Sequence, residues 1–160
     1  EIRRYPQMLV AQTSMASASF DAAGSNGFRT VANYIFGGNE RNQKISMTAP
    51  VVMDLNDSAS LYFVLPSKFA LDQLPKPNSS SVQISELGPT TMAVVRFGGF
   101  STDAKISAQC AVVQRFAEEH NLLHKSEFQY MGYNAPWDVV GRRNEVALTI
   151  YSDLEGAELK

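Results

Sequence analysis

The sequence predicts an antiparallel α+β domain whose sheet is curled or closed, with two helices packed against it. The order strand–helix–strand–strand occurs twice, and the two halves meet between Leu87 and Pro89. Only two segments show helical periodicity, and two helices cannot cover both faces of a large sheet. The other apolar segments are short, as expected for strands of a curled or closed antiparallel sheet.

The first predicted helix begins after Gly27, with Asp21 as a candidate cap before it. Its apolar stripe has helical spacing and consists of Phe28, Val31, Ala32, Ile35 and Phe36. Its opposite face is polar and consists of Arg29, Thr30, Asn33 and Tyr34. Gly37 and Gly38 end the helix, because glycine accepts the left-handed backbone that helix ends often require.

The predicted strands are 5–15, 45–53, 61–65, 82–87, 92–97, 128–133 and 146–151. Pro50 lacks a backbone donor, so we expect it at a sheet edge, a bulge or a strand end. Residues 67–81 contain Pro75 and Pro77 and are predicted to form an ordered connector without a helix.

The second predicted helix is capped by Ser101 or Thr102, with Asp103 in its first turn. Its apolar stripe consists of Ile106, Cys110, Val113 and Ala117. Cys110 is expected to be a small core residue, because it belongs to this stripe. His120 lies about 15 Å further along such a helix, which is beyond hydrogen-bond reach of Cys110. A Cys–His catalytic pair is therefore excluded there, and no other catalytic group is evident. An enzymatic function is not expected.

Composition limits the functional classes. The chain has 160 residues, 44% of them hydrophobic, and a net charge of −2, which suits one globular domain over residues 1–160. It lacks the basic stripe expected of a nucleic-acid-binding protein and the apolar run of a membrane span. Because the chain starts at Glu1, we expect a targeting segment or another domain upstream.

Two features could recognise a ligand. If the second helix continued, His120 and His124 would share one of its faces and could bind a metal ion or haem iron together. No third ligand is nearby in the sequence. The loop 134–145 contains the only Trp and two adjacent arginines. It suits a flat apolar ligand with carboxylates, or alternatively a packed hairpin in which Arg143 pairs with Glu145.

Several segments resemble the SOUL haem-binding protein family. They are EIRRYP, FRTVANYIFGGN, KISMTAPV, VLPSKF, LPKPNSSSV and RRNEV, in this order along nearly the whole chain. The resemblance implies a distorted antiparallel β-barrel of about eight strands, made of two βαββ-like halves with two helices outside. It also implies reversible, non-covalent binding of haem or a related tetrapyrrole by a carrier, buffer or sensor.

The family's ligand groove lies between the first helix and the loop before the last strand. Carried onto this sequence, the groove consists of Arg29, Asn33, Phe36, Trp137, Val139 and Arg142. Animal members of the family have basic residues on the first helix and in the loop, which bind the propionates, and the matching positions here are Tyr34 and Asp138. No histidine precedes His120, so we expect no axial iron ligand from the protein.

The alternative interpretation is an interaction module whose groove binds another apolar ligand or a protein segment. A third interpretation is an enzyme that acts on a tetrapyrrole, for which the sequence offers no identifiable catalytic group. We expect a monomer or weak dimer, a possible protein partner, and a plastid or cytoplasmic location.

Overall fold

The computed structural model describes residues 1–135 and 137–151. Its helices and strands, in chain order, are β1 (Ile2–Tyr5), β2 (Met8–Ser14), α1 (Ser25–Ile35), β3 (Val51–Asp54), β4 (Ser60–Val64), β5 (Gln83–Leu87), β6 (Thr90–Gly98), α2 (Asp103–Glu119), β7 (His124–Gly132) and β8 (Arg143–Ile150). A π-helical turn, Phe20–Gly24, precedes α1, and a 3-10 turn, Leu71–Gln73, interrupts the connector between β4 and β5.

All eight strands form one antiparallel sheet in the order β1-β6-β8-β7-β3-β4-β2-β5. From the central β3–β7 pair outward, the order is β3, β4, β2, β5 on one side and β7, β8, β6, β1 on the other. The two strand–helix–strand–strand units therefore occupy equivalent places. The sheet curls as a half-barrel, which confirms the predicted α+β fold with two helices.

Each face of the sheet has its own apolar cluster. Strand side chains alternate between the faces, so Leu61 and Phe63 join one cluster and Tyr62 joins the other. The first cluster also contains buried residues of both helices, including Val31 and Val113. The second cluster consists of strand and strand-end residues on the concave face of the curled sheet, namely Tyr5, Met8, Val10, Val52, Tyr62, Val64, Leu87, Met92, Val94, Met131, Tyr133 and Ala147.

The helix ends form a shared polar contact. Thr102 caps α2 by accepting a hydrogen bond from the Lys105 amide, as predicted. Ser19, and not Asp21, caps the turn before α1. Asp103 accepts hydrogen bonds from the Ser19 hydroxyl and the Phe20 amide, so the starts of the two helical segments are joined.

Two strand predictions were too long. The predicted strand 5–15 is divided at Pro6, which lacks an amide donor, into β1 and the longer β2. The predicted strand 45–53 forms ladder pairs only from Val51 onward. Pro50 thus lies at a strand end, one of the places predicted for it.

Candidate functional site

Among the described residues, the large exposed apolar side chains that bear on the predicted groove lie on three segments. Phe36, at the end of α1, is 61% exposed, and Met47 is exposed in the segment before β3. In the loop 134–142 between β7 and β8, Trp137 is 79% exposed and Val140 is 86% exposed, with Val139 also exposed. Exposed apolar groups close to one another are typical of binding surfaces.

Backbone pairing joins these three segments. Phe36 forms an antiparallel bridge with Lys44, and the Ile45 amide donates to the Ile35 carbonyl over 2.8 Å. The chain from Lys44 then leads to Val51, which pairs with Gly132 at the end of β7. The loop 134–142 begins two residues later. The segment from 44 to 50 therefore connects the end of α1 to the base of that loop.

The turn after α1 is built around Asn39, which is buried. Its side-chain amide donates to the carbonyls of Tyr34 and Gln43, and its Oδ1 accepts from the amides of Arg41 and Gln43. Gly38 is required next to it, because a Cβ there would lie 2.6 Å from the Asn33 carbonyl oxygen. The glycine pair predicts this turn as a helix stop, but no local pattern in the sequence marks the organising role of Asn39.

Arg142 stabilises the loop 134–142 from within. Its Nη1 donates to the carbonyls of Ala135 (3.1 Å) and Asp138 (2.6 Å), and its guanidinium carbon lies 4.9 Å from the centre of the Phe100 ring. The Asp138 carboxylate accepts from the Ala135 amide. Two donors of a residue predicted to bind ligand carboxylates are thus hydrogen-bonded to the backbone.

A buried carboxylate fixes the base of the same loop. Glu145 is fully buried and accepts hydrogen bonds from the guanidinium groups of Arg3 and Arg143 and from the Tyr133 hydroxyl. Burial alone would raise the pKa of Glu145, but these hydrogen bonds outweigh it and hold the pKa below its ordinary value. The predicted Arg143–Glu145 pair is confirmed, with Arg3 as an unforeseen third member.

The other predicted groove residues are exposed on α1. Arg29 and Asn33 lie on its solvent side, and Phe36 follows its last residue. Tyr34 was wrongly assigned to the polar face: it is buried, and its hydroxyl donates to the Pro75 carbonyl over 2.9 Å. Within residues 1–135 and 137–151, no hydrogen bond or ion pair joins α1 to the loop 134–142.

The two histidines do not share a helix face. α2 ends at Glu119, His120 caps it with Nδ1 2.8 Å from the Phe116 carbonyl oxygen, and His124 begins β7. The helix therefore does not continue to His124, and the condition for a shared face is not met. The described residues contain no group of three or more His, Cys, Asp or Glu side chains placed to hold a metal ion. Nor does any described helix have the length and apolarity to cross a membrane.

The concave face of the sheet contains a cavity of about 1070 Å³. Its lining includes residues of the second apolar cluster, among them Tyr62, Val64, Met92 and Met131. A smaller, more polar cavity of about 580 Å³ lies between the end of β2 and the start of α1. None of the six predicted groove residues lines either cavity.

Comparison with known families decides the relationship of the chain. Residues 1–149 match the family described as SOUL heme-binding protein. The chain belongs to the SOUL family.

Characterised relatives of this SOUL domain include heme-binding protein 2 of Homo sapiens. The two are 33% identical over 159 residues, covering 92% of this chain and 76% of that protein. Heme-binding protein 1 of Bos taurus is 31% identical over 132 residues, covering 77% of this chain and 68% of the relative.

Solved structures with little sequence similarity share the fold. The EcmrR C-terminal domain has a TM-score of 0.73 at 10% identity, with 95% of this chain and 96% of that one covered. A hydrolase from Listeria innocua has a TM-score of 0.62 at 10% identity, with 94% and 92% covered. At such identity the likeness concerns the fold alone.

Proposed function

We propose that this SOUL domain, residues 1–160, binds haem or a related tetrapyrrole non-covalently, as a carrier, buffer or sensor. The site is a groove between α1 and the loop 134–142. The main support is the exposure of Phe36, Trp137 and Val139. These residues lie on segments that backbone pairing connects, and they are the apolar members of the groove that the family resemblance implies. Relatives named heme-binding proteins support the ligand class.

The apolar ring supplies most of the affinity in this proposal. A porphyrin is largely apolar, and its burial contributes roughly 25 cal/mol per Å² of apolar surface removed from water. Trp137 offers the largest exposed aromatic surface in the loop and can stack on the ring plane. Since Arg142 and Asp138 hold the loop backbone, the indole is presented on an ordered support.

The ligand carboxylates require a cation other than Arg142. Two donors of Arg142 already bind loop carbonyls, so drawing it away would loosen the loop. Lys44 is exposed and forms the backbone bridge with Phe36, which places a cation beside the apolar surface. Arg29 is exposed two helical turns before Phe36. Exposed ion pairs contribute at most about 1 kcal/mol, so these cations orient the ring more than they hold it.

Iron coordination by a histidine is not part of the proposed mechanism. His120 caps the end of α2, and His124 begins β7, whose nine residues separate it from the loop 134–142 at the other end of the strand. Metal-free protoporphyrin should therefore bind nearly as tightly as hemin.

The test is a set of titrations followed by Soret absorbance, because Trp137→Ala removes the only tryptophan of the chain and leaves no tryptophan fluorescence to quench. Wild type, Trp137→Ala and Arg142→Ala are titrated with hemin and protoporphyrin at fixed salt and pH. We expect Trp137→Ala to weaken binding of both ligands about tenfold, and more than Arg142→Ala does. Leu123→Ala removes an equally exposed apolar side chain from the α2–β7 turn and serves as the control.

The outcomes separate the interpretations. Absence of saturable binding of either ligand to the wild type would refute tetrapyrrole binding and favour another apolar ligand or a protein segment. A preference for hemin above a hundredfold, or no effect of Trp137→Ala, would refute ring stacking as the source of affinity.

A further inference from the structure

We propose that the concave face of the sheet is a second binding site, which takes a neutral, hydrocarbon-rich ligand such as an isoprenoid or a polycyclic aromatic molecule. The site is the cavity of about 1070 Å³ on the side of the sheet opposite the helices. It is distinct from the proposed tetrapyrrole groove, which involves α1 on the other face.

The floor of this cavity is apolar surface that neither of the described helices covers. Val52, Tyr62 and Met131 project from neighbouring strands β3, β4 and β7 and line the cavity together with Val64 and Met92. On the opposite face, both helices cover the equivalent surface. A volume of this size is slightly above the usual range for small-molecule sites, about 300–1,000 Å³, so the cavity has room for a large ligand.

Two connectors between the halves close one side of the cavity. Tyr5 pairs with Thr90, and Met8 pairs with Leu87, so the segments 5–8 and 87–90 run side by side between the two halves. Both segments line the cavity, as does the segment from 66 to 71 after β4. The apolar floor therefore lies in a partly enclosed space and not on an open sheet.

The phenol groups of Tyr5 and Tyr62 and the amide of Gln129, which line the cavity, have partners within the protein. The Tyr62 hydroxyl donates to Gln129 Oε1 over 3.4 Å, and the Gln129 amide donates to Asp54 over 2.7 Å. Ser60 donates to the other oxygen of Asp54, and the Tyr5 hydroxyl contacts the Met131 sulfur over 3.9 Å. A charged ligand group would lose its hydration here without gaining a partner of opposite charge among the described residues of the floor.

Charged residues of the lining are confined to the rim. Glu86, Lys125 and Glu127 are all exposed, and they combine both signs. The interior thus selects neither an anion nor a cation. Met8, Met92 and Met131 add polarizable sulfur atoms along the walls, which favour contacts with unsaturated or aromatic ligands.

The test compares two fluorescent probes with the same ring system. N-phenyl-1-naphthylamine is neutral, and 8-anilino-1-naphthalenesulfonate has an added sulfonate. We expect saturable 1:1 binding of the neutral probe and at least about tenfold weaker binding of the sulfonate. Val64→Trp and Thr149→Trp, both half-buried cavity positions, should each weaken the neutral probe at least about tenfold by filling the space.

Matched controls locate the site. Val112→Trp adds the same bulk on the exposed side of α2, and Trp137→Ala alters the tetrapyrrole groove; neither should change probe affinity. Circular dichroism and thermal melting verify that each variant is folded. If one of the two cavity variants does not fold, the other still tests the site. Hemin titration of Val64→Trp should match the wild type.

Three results would overturn the proposal. The first is that the neutral probe shows no saturable binding to the wild type. The second is that the sulfonate binds as tightly as the neutral probe or more tightly. The third is that a folded cavity variant binds the neutral probe as tightly as the wild type does. Loss of probe binding in Trp137→Ala would assign the probe to the tetrapyrrole groove and also refute the second site.

Discussion

Glu145→Gln should destabilise the protein strongly at neutral pH, even though it keeps the size and shape of the side chain. The Glu145 carboxylate accepts hydrogen bonds from Arg3 on β1 and from Arg143 and Tyr133 at the two ends of the loop 134–142. It therefore joins the edge strand of the sheet to the base of the loop. Glutamine cannot neutralise the two guanidinium groups.

The expected cost is about 3 kcal/mol. Removing one partner of a buried ion pair typically costs about 3–5 kcal/mol, since the remaining charge is left uncompensated. The arginine side chains here are 21% and 37% exposed, so water can reach them in the variant, and the lower end of the range applies. For a domain of this size that corresponds to a fall in Tm of roughly 6–12 °C.

The pH dependence of this stabilisation has a definite sign. The pKa of Glu145 in the folded protein is lowered from its ordinary value of 4.5. The carboxylate's contribution is therefore complete above pH 4.5 and is lost as the pH falls through the folded-state pKa. At still lower pH the wild type is protonated at Glu145, and its stability should approach that of Glu145→Gln.

Urea unfolding of the wild type and Glu145→Gln from pH 3 to 7 measures this difference, with Glu119→Gln, an exposed position on α2, as the control. A loss below about 1 kcal/mol at pH 7 would show that the buried pair contributes little net stability. A difference that stays constant down to pH 3 would show that the carboxylate charge is not its cause.

Three further predictions concern the proposed groove. Lys44→Ala should weaken hemin about threefold but leave hemin dimethyl ester unchanged, as measured by Soret titration, because only the free acid pairs with the amine; equal effects on both would exclude that pairing. Replacing His120 and His124 together by Ala should leave tetrapyrrole affinity within about threefold, and loss of a low-spin Soret feature would show that a histidine binds iron. Asn39→Ala should cost about 2–3 kcal/mol in urea unfolding, because two carbonyls and two amides lose their partner, and it should also weaken hemin binding. Asn42→Gly is the control: this exposed position in the same turn has a φ of 48°, which glycine accepts without strain, and an equal loss there would show that any change in the turn suffices.

Local sequence patterns determined the helices, most strands and the doubled architecture. Side-chain periodicity reports which face of an element is apolar, and this depends only on neighbouring residues. Val31, Ile35, Val113 and Ala117 are buried as their spacing predicts. The Thr102 cap and the Arg143–Glu145 pair were also predictable, because each involves residues two or three positions apart.

Features that depend on distant residues could not be obtained in this way. Phe36 fits the apolar stripe, but the helix ends before it and its ring is exposed. Tyr34 lies on the polar face of the pattern, yet it is buried, because the connector between β4 and β5 passes over it and its hydroxyl donates to the Pro75 carbonyl. Likewise, the sequence does not show that Arg142 donates to the carbonyls of Ala135 and Asp138, because these contacts depend on how the loop backbone folds around the side chain.

The arrangement of the halves was likewise decided only by the tertiary structure. β1 pairs with β6 at the sheet edge opposite β5, which brings Arg3 to Glu145 across 142 positions in the chain. The same curling produces the concave cavity from residues of all eight strands and their connectors. Sequence periodicity marks these side chains as apolar, but strand order and sheet curvature determine whether they enclose a space, and both arise from pairings between residues far apart in the chain.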